Sequence, residues 1–368
     1  MAPQYYIRVK DSGGVDKAVV TDMLSLSYTK QVNAPGLCEF VLNGEHPATA
    51  YLDIDSDVDA QIEVWRRDPA QDIDWYIDFY GLYRYTRQYS KDGQDYFVAR
   101  CPGQMSILGR RIVAWPAGTS NTSEFTSAKA ETIMKTLVDA NIGPSSSHLI
   151  NGRQRSGFVY TIASATDAAG GNTISWSCAW KPLLEQLQAI ARIGGGDFDL
   201  VKTGGTEWEF RFYSGQLGTD RSATVTFSLE YGNMGDPVYE KDRINEKTVA
   251  LVGGQGDGAD REIVERQGTD FAFDTDDIEV FVDGRNEDAT AKLEAKGDAA
   301  IEKYRARNEF SYTVLQTPSS LYGKHYFLGD LVKARYKSIE VTQQVYAVTV
   351  KFDGKDGSED IKVEMRDQ

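Results

Sequence analysis

Cysteine and histidine are scarce in this 368-residue chain, with three of each. Cys38, Cys101 and Cys178 have no close spacing, which speaks against a disulfide framework or a zinc cluster and leaves buried thiols as the reading. His46, His148 and His325 are equally scattered, so a histidine-based active site has little support. No apolar run is long enough to cross a bilayer, and Met1-Ala2-Pro3-Gln4 does not read as a secretory leader. The expectation is a chain made in the cytoplasm, without stable membrane insertion. Basic charge is in the minority: 40 Lys and Arg face 55 Asp and Glu, a formal charge of -15. Phosphate binding needs clustered cations, so such a chain is not expected to coat nucleic acid. Two readings of the acidity stay open: it keeps the chain soluble, or it forms a wall that repels DNA and lets the polymer slide past. The motifs G-x-S-x-G, H-E-x-x-H and G-x-x-x-x-G-K-[ST] are all missing. The 55 carboxylates supply many accidental pairs of the kind glycoside hydrolysis needs, but nothing singles out two of them. No catalytic residue, metal ligand or cofactor site is therefore nominated, and a non-enzyme is expected.

What is present is strand material. Aromatics make up 11% of the chain, with 20 Tyr and 15 Phe, and the length suits two or three domains. Over residues 1–112, Tyr5-Tyr6-Ile7-Arg8-Val9, Leu24-Ser25-Leu26-Ser27-Tyr28, Ala60-Gln61-Ile62-Glu63-Val64-Trp65 and Gln94-Asp95-Tyr96-Phe97-Val98-Ala99 alternate with a period of two. Turn signals at Asn33-Ala34-Pro35-Gly36, Asn43-Gly44 and Asp92-Gly93 separate them. Trp75 to Tyr89 is the longest candidate strand, with Gly81 where a bulge or barrel corner would fit. Short strands at regular intervals suggest a barrel or sandwich.

The texture changes after Trp115-Pro116-Ala117-Gly118. Ala130, Ile133, Met134, Leu137 and Val138 form one helical face, with Ser127 as the N-cap and Gly143-Pro144 as the stop. A second helix opens with Pro182 at its first position, buries Leu183, Leu184, Leu187, Ile190 and Ala191, and ends at Gly194-Gly195-Gly196. Strand patterning returns at Trp208, Phe210 and Phe212. From about Tyr239 onward come strands at Lys247–Val252 and Arg261–Val264, a helix carrying Leu293, Gly297, Ala300, Ile301 and Tyr304, and three closing strands. The chain thus reads as mainly β with α insertions. Residues 1–112 would form a first β-barrel completed by about 206–236, residues 113–205 an inserted α+β domain with two helices, and residues 237–368 a second β-barrel with one helix.

Three local patterns invite a sharper reading. Gly254-Gln255-Gly256-Asp257-Gly258-Ala259 has the outline of a dinucleotide fingerprint, but that motif works only at a helix N-terminus. Here Arg261-Glu262-Ile263-Val264-Glu265 alternates like a strand, which favours a Gly-rich hairpin. Asp53-Ile54-Asp55-Ser56-Asp57-Val58-Asp59 opens like a calcium loop, yet Val58 stands where Gly is needed and Val64 where Glu is needed. Asp53, Asp55, Asp57 and Asp59 then read either as a solvated loop that blocks edge pairing or as an acidic rim facing a channel. Trp75-Tyr76-Ile77-Asp78-Phe79-Tyr80 reads as barrel interior or as a stacking platform for sugars or bases.

Taken in order, several turn and packing motifs resemble the tail hub proteins of long-tailed siphophages, relatives of the baseplate hub of contractile-tailed phages. They are Val32-Asn33-Ala34-Pro35-Gly36, Ile62-Glu63-Val64-Trp65-Arg66, Phe79-Tyr80-Gly81-Leu82-Tyr83, Cys101-Pro102-Gly103-Gln104-Met105, Phe227 through Met234 with its Gly232-Asn233, the hairpin from Asn245 to Arg261, Val282-Asp283-Gly284-Arg285, and Leu328-Gly329-Asp330-Leu331-Val332. The resemblance implies a homotrimer in which two barrels per subunit make a pseudo-six-fold ring, joining a six-fold tail tube to a three-fold tip. It also implies a lumen that passes DNA transiently during ejection. The implied partners are a distal tail or tail tube protein, the tape-measure protein, and tip, spike or fibre proteins. The implied location is the virion tail tip after assembly in the host cytoplasm. Some such hubs carry a lysozyme, peptidase or fibre-binding extension, and no such segment is recognised here. A peptidoglycan hydrolase or a carbohydrate-binding receptor module, with Trp75 or Trp208 as the quenched reporter, are the alternatives.

Overall fold

The computed structural model describes residues 2–53, 55, 59–114, 123–143, 160–287 and 289–367. Eight strands occupy the first stretch: β1 (Gln4–Lys10), β2 (Asp16–Val20), β3 (Ser25–Gln31), β4 (Ala34–Asn43), β5 (Gln61–Asp68), β6 (Ile73–Leu82), β7 (Tyr85–Lys91) and β8 (Gln94–Pro102). They divide between two sheets. One has the order β2-β1-β5-β6, and the other begins β7-β8-β4-β3. The expected long strand from Trp75 to Tyr89 breaks after Leu82, because the chain changes sheets there. Gly81 lies against the second sheet, where an added Cβ would sit 2.9 Å from Cys101 Cβ.

The second sheet is completed from the far end of the chain by β20 (Leu331–Tyr336), β21 (Ile339–Asp353) and β22 (Glu359–Asp367), together with the short β14 (Thr226–Ser228). Its path runs β14-β20-β21-β3-β4-β8-β7, with β22 paired to β21. Lys351 pairs with Ser27 and Ala347 with Gln31, more than 300 residues apart in sequence. The two sheets bury a common core. Ile7, Val9, Ile62 and Val64 come from one, and Phe40, Leu42, Ala99, Val348 and Val350 from the other, each 0% exposed. Tyr28 meets Phe79 across the gap with ring centroids 5.8 Å apart.

Between these strands lie β9 (Ser123–Lys129), α1 (Ala130–Asn141), β10 (Thr161–Ser164), β11 (Thr173–Cys178), α2 (Leu183–Gly194), β12 (Gly196–Lys202) and β13 (Glu207–Ser214). The helical faces expected from the sequence are the buried ones: Ile133, Met134 and Val138 pack with Leu183, Leu187 and Ile190. Helix ends differ in detail. Ser127 sits in β9 with φ +50° and Lys129 occupies the cap position of α1, while Pro182 is itself the cap residue before α2. Gly195 closes α2 at φ +64°, the left-handed end that glycine permits. Residues 115–118, Pro144 and the stretch 145–159 lie outside the described residues.

The chain divides into two compact units. One unit comprises residues 1–235 and 313–366, so it holds the first sheets, the helical insertion and the last three strands. The other comprises residues 236–312. Within the first unit β21 pairs with its sequence neighbours β20 and β22 and also with β3, so strands from residues 331–366 extend the sheet that β3 and β4 begin. Among the described residues the strand orders are open and no sheet closes on itself through hydrogen bonds. Strand spacing sets how long each segment is; partner choice is a long-range matter that spacing does not encode.

The second unit contains most of β15 (Met234–Asp242) and β19 (Arg307–Val314), which pair with each other, plus β16 (Val249–Gly253), β17 (Ile263–Gln267), β18 (Glu279–Asp283) and α3 (Thr290–Tyr304). Its three-stranded sheet has the order β17-β16-β18, and α3 covers one face through Leu293 and Gly297. Gly254 to Glu262 link β16 to the antiparallel β17 through one three-residue 3-10 turn, Gly258–Asp260, so no α-helix follows and the glycine motif is a hairpin. The Arg261 side chain lies over Gly253, where a Cβ would come within 2.6 Å of Arg261 Cζ, the mobile end of that side chain.

Candidate functional site

Four of the hub-like sequence motifs, Val32–Gly36, Phe79–Tyr83, Cys101–Met105 and Leu328–Val332, meet at one junction in the first unit. Asn33 adopts φ 58°, a left-handed conformation that Asn tolerates better than most residues. This turn points its amide at β12: Phe198 N donates to Asn33 Oδ1 at 2.7 Å, and Asn33 Nδ2 donates to Asp197 Oδ1 at 2.8 Å. Gln188 Nε2 of α2 donates to the Asn33 carbonyl at 2.9 Å. Asp197, 2% exposed, also accepts from Leu217 N at 2.9 Å and from Gln344 Nε2 at 2.6 Å. The Leu328-Gly329-Asp330 motif sits beside it, with Asp330 accepting from Thr219 N, Arg221 Nε and Phe327 N at 2.7, 2.6 and 2.9 Å. Gly36 of the Asn33 motif and Gly103 of the Cys101–Met105 motif let backbones touch. A Cβ on Gly103 would lie 1.7 Å from the Pro35 carbonyl oxygen, and one on Gly36 would lie 2.1 Å from that of Thr29. Asn33→Ala is expected to destabilise the first unit by roughly 2–4 kcal/mol, since the buried Asp197 and Phe198 N–H each lose a partner. Chemical denaturation followed by tryptophan fluorescence reads this out, and an unchanged midpoint would refute it.

A cavity of about 190 Å³ opens at this junction, lined among others by Lys30, Asn33, Asp78, Gln104 and Asp199. Burial pushes the Asp199 carboxyl up, against the bond it receives from Leu200 N at 2.7 Å. Next to the cavity is a buried ionic network that ties the two sheets together. Asp78, with a fully buried side chain, accepts from Lys30 Nζ at 2.8 Å, Tyr28 OH at 2.6 Å and Tyr322 OH at 2.7 Å. Burial alone would raise the Asp78 carboxyl; the Lys30 ammonium overrides it and holds the group below the usual range. Arg66 makes a bidentate pair with Glu359 of β22, at 2.8 and 2.9 Å, and also donates to Tyr5 OH at 2.9 Å and Tyr76 OH at 3.2 Å. Tyr5 OH completes the circuit by donating to Glu359. Each charge here faces an opposite charge through direct hydrogen bonds, an arrangement suited to fixing geometry rather than to activating a nucleophile.

The acidic loop does not present its carboxylates as one row. Asp53 and Asp55 are exposed, with Asp55 N donating to Asp53 Oδ1 at 3.0 Å. Asp59 turns inward, is 8% exposed, and is gripped by Arg110 at 2.9 Å and Arg84 at 3.1 Å. Asp57 lies outside the described residues.

The aromatic run also resolves. Asp78 and Phe79 point into the core, while Trp75 joins Tyr6 and Trp65 on the outer face of the first sheet. Tyr6 stacks on Trp65 at 5.4 Å and meets Trp75 edge-on at 4.8 Å. Arg8 and Arg67 cover Trp65 and Trp75 at 5.3 and 4.6 Å. These ring faces are occupied by neighbouring side chains, and Trp208 is 2% exposed, so neither indole offers an open platform for a sugar. Sequence reasoning missed the Asp78 network and the Asn33–Asp197 link. The available signal was a lone Asp inside an otherwise aromatic strand, where an unpaired carboxylate would be costly.

The fold of the chain is similar to those of solved phage tail proteins. It superposes on the 43 kDa tail protein of prophage MuSo2 from Shewanella oneidensis with a TM-score of 0.58 at 11% identity, covering 100% of this chain and 98% of that one. A tail protein from Neisseria meningitidis MC58 gives 0.58 at 12%, covering 100% and 97%. The prophage tail protein gp18 from Listeria monocytogenes gives 0.52 at 10%, covering 98% and 94%. Among curated proteins no sequence matches. Residues 7–365 match the siphovirus ReqiPepy6 Gp37-like family, and the chain belongs to that family of siphovirus tail proteins.

Proposed function

We propose that this chain is the structural, non-enzymatic hub at the tail tip of a long-tailed phage, with three copies closing into a ring around the path of the genome. The observation that carries this reading is the end-to-end agreement of the fold with phage tail proteins, together with the family membership. Each chain brings two β-rich units, so three copies would set six units around one axis and match a six-fold tube above to a three-fold tip below. A ring of this kind uses contacts between unlike surfaces, which two different units supply. The tube side would meet a distal tail or tail tube protein and the end of the tape-measure protein, and the tip side spike or fibre proteins. DNA would pass only transiently, and a formal charge of -15 suits a wall that does not hold phosphates. Asp53 and Asp55 are the rim carboxylates left exposed for that role. Assembly in the host cytoplasm precedes incorporation into the virion.

The purified chain is expected to sediment at three times its 40.9 kDa mass. A monomer at every accessible concentration, or a tail image with a basic bore, would overturn the reading.

A further inference from the structure

On the outer face of β1, β5 and β6, Lys10 is paired with Glu63 at 2.8 Å, whereas two arginines, Arg8 and Arg67, lie over the rings of Trp65 and Trp75. Arg67 donates from Nε to Gln4 Oε1 at 2.7 Å and lies over Trp75, with no carboxylate at ion-pair distance among the described residues. Arg8 reaches only Asp16, at 3.9 Å. Gln4 stands opposite Arg67, so Arg8 lies four residues further along the same strand direction, a spacing of ~13 Å. Between the two guanidiniums lie the half-buried rings of Trp65, Tyr6 and Trp75.

Strand β18 of the second unit carries the complementary pattern. Glu279, Phe281 and Asp283 alternate on its exposed face while Val280 and Val282 are half-buried, and Phe281 is 57% exposed. Its carboxylates are also four residues, ~13 Å, apart with an aromatic ring between them. β18 is an edge of its sheet, with one side unpaired. Asp283 is already held by Arg261 and Arg285, whereas Glu279 has no cation at ion-pair distance among the described residues.

We propose that the arginine–aromatic face of one copy receives the β18 edge of a second copy, with Arg67 pairing to Glu279 and the Phe281 ring seated against the edges of Trp65, Tyr6 and Trp75. Opposite charge at Arg67 and Glu279, and the exposed Phe281 ring set against the half-buried edges of the ring cluster, select another copy of this chain as the occupant. The contact joins unlike surfaces, so its repetition around an axis closes a ring; in that respect it rests on the ring proposed above.

Sedimentation velocity of the full chain tests both at once. Arg67→Glu and Glu279→Arg should each weaken association at least about tenfold, and the double exchange should restore most of it. Glu279 is exposed, so Glu279→Arg keeps the test valid if Arg67→Glu disturbs the Trp75 stack. Wild-type assembly unaffected by Glu279→Arg, or a double variant as weak as the singles, overturns this interface and leaves the ring standing. A wild-type chain that never associates removes both.

Discussion

Asp78→Ala is expected to lower the stability of the first unit by roughly 3–5 kcal/mol, the cost of leaving a buried ion without its counter-charge. The ion stranded would be the Lys30 ammonium, now held by Asp78 and the Tyr322 hydroxyl. Two tyrosine hydroxyls, those of Tyr28 and Tyr322, would lose their acceptor at the same time. Lys30→Met alone should cost a similar amount, because it strands the carboxylate instead. The pair Asp78→Ala with Lys30→Met should cost clearly less than the two single changes added together, since neither charge then remains. Denaturant melts of the four proteins decide the matter, and additive single effects would show that the two groups do not form one unit.

The second large effect is alkaline. Burial, reinforced by nearby Glu359 or Asp78, raises the phenols of Tyr5, Tyr28 and Tyr322 well above the ordinary value of 10.0. The folded chain therefore keeps three protons that the unfolded chain releases. Their stabilisation is complete below pH 10 and is lost as pH rises beyond it, at roughly 1.4 kcal/mol per pH unit for each group, or about 4 kcal/mol per unit together. The acid side behaves in the opposite sense. The depressed carboxyls of Asp78 and Glu63 contribute fully above their ordinary values of 3.8 and 4.5 and lose that contribution as pH falls through their folded values. Midpoints measured from pH 3 to 11 should form a plateau with a steep alkaline edge. An unfolding midpoint that is flat between pH 10 and 11 would contradict the buried phenols.

How far the sequence could be read differs from element to element. Periodicity alone located β1, β5, β8 and both helices of the insertion, because a buried face must repeat every 2 or 3.6 residues whatever lies opposite. Pro182 and Gly194-Gly195 likewise fixed the span of α2 within a residue, through φ preferences that act locally. The hairpin at Gly254 was legible for the same reason: a strand pattern follows it, and phosphate binding would need a helix there. Ser127 failed as a cap because β9 runs straight into α1 and the chain enters the helix without a capping side chain.

What the tertiary structure alone decided is pairing. The last strands join β3, and nothing in the alternation of β21 names that partner. The same holds for the ionic seam. Asp78, Arg66 and Glu359 look in sequence like any three of the many charged residues, and only the approach of two sheets makes them a network. The hub-like motifs lie between these extremes: Asn33, Gly36 and Gly103 were visible as turn residues, but the reason for the two glycines is a convergence of backbones, at 2.1 and 1.7 Å from where a side chain would begin. Local sterics and hydrophobic period are written along the chain, whereas the identity of a neighbour hundreds of residues away arises only when the whole core packs.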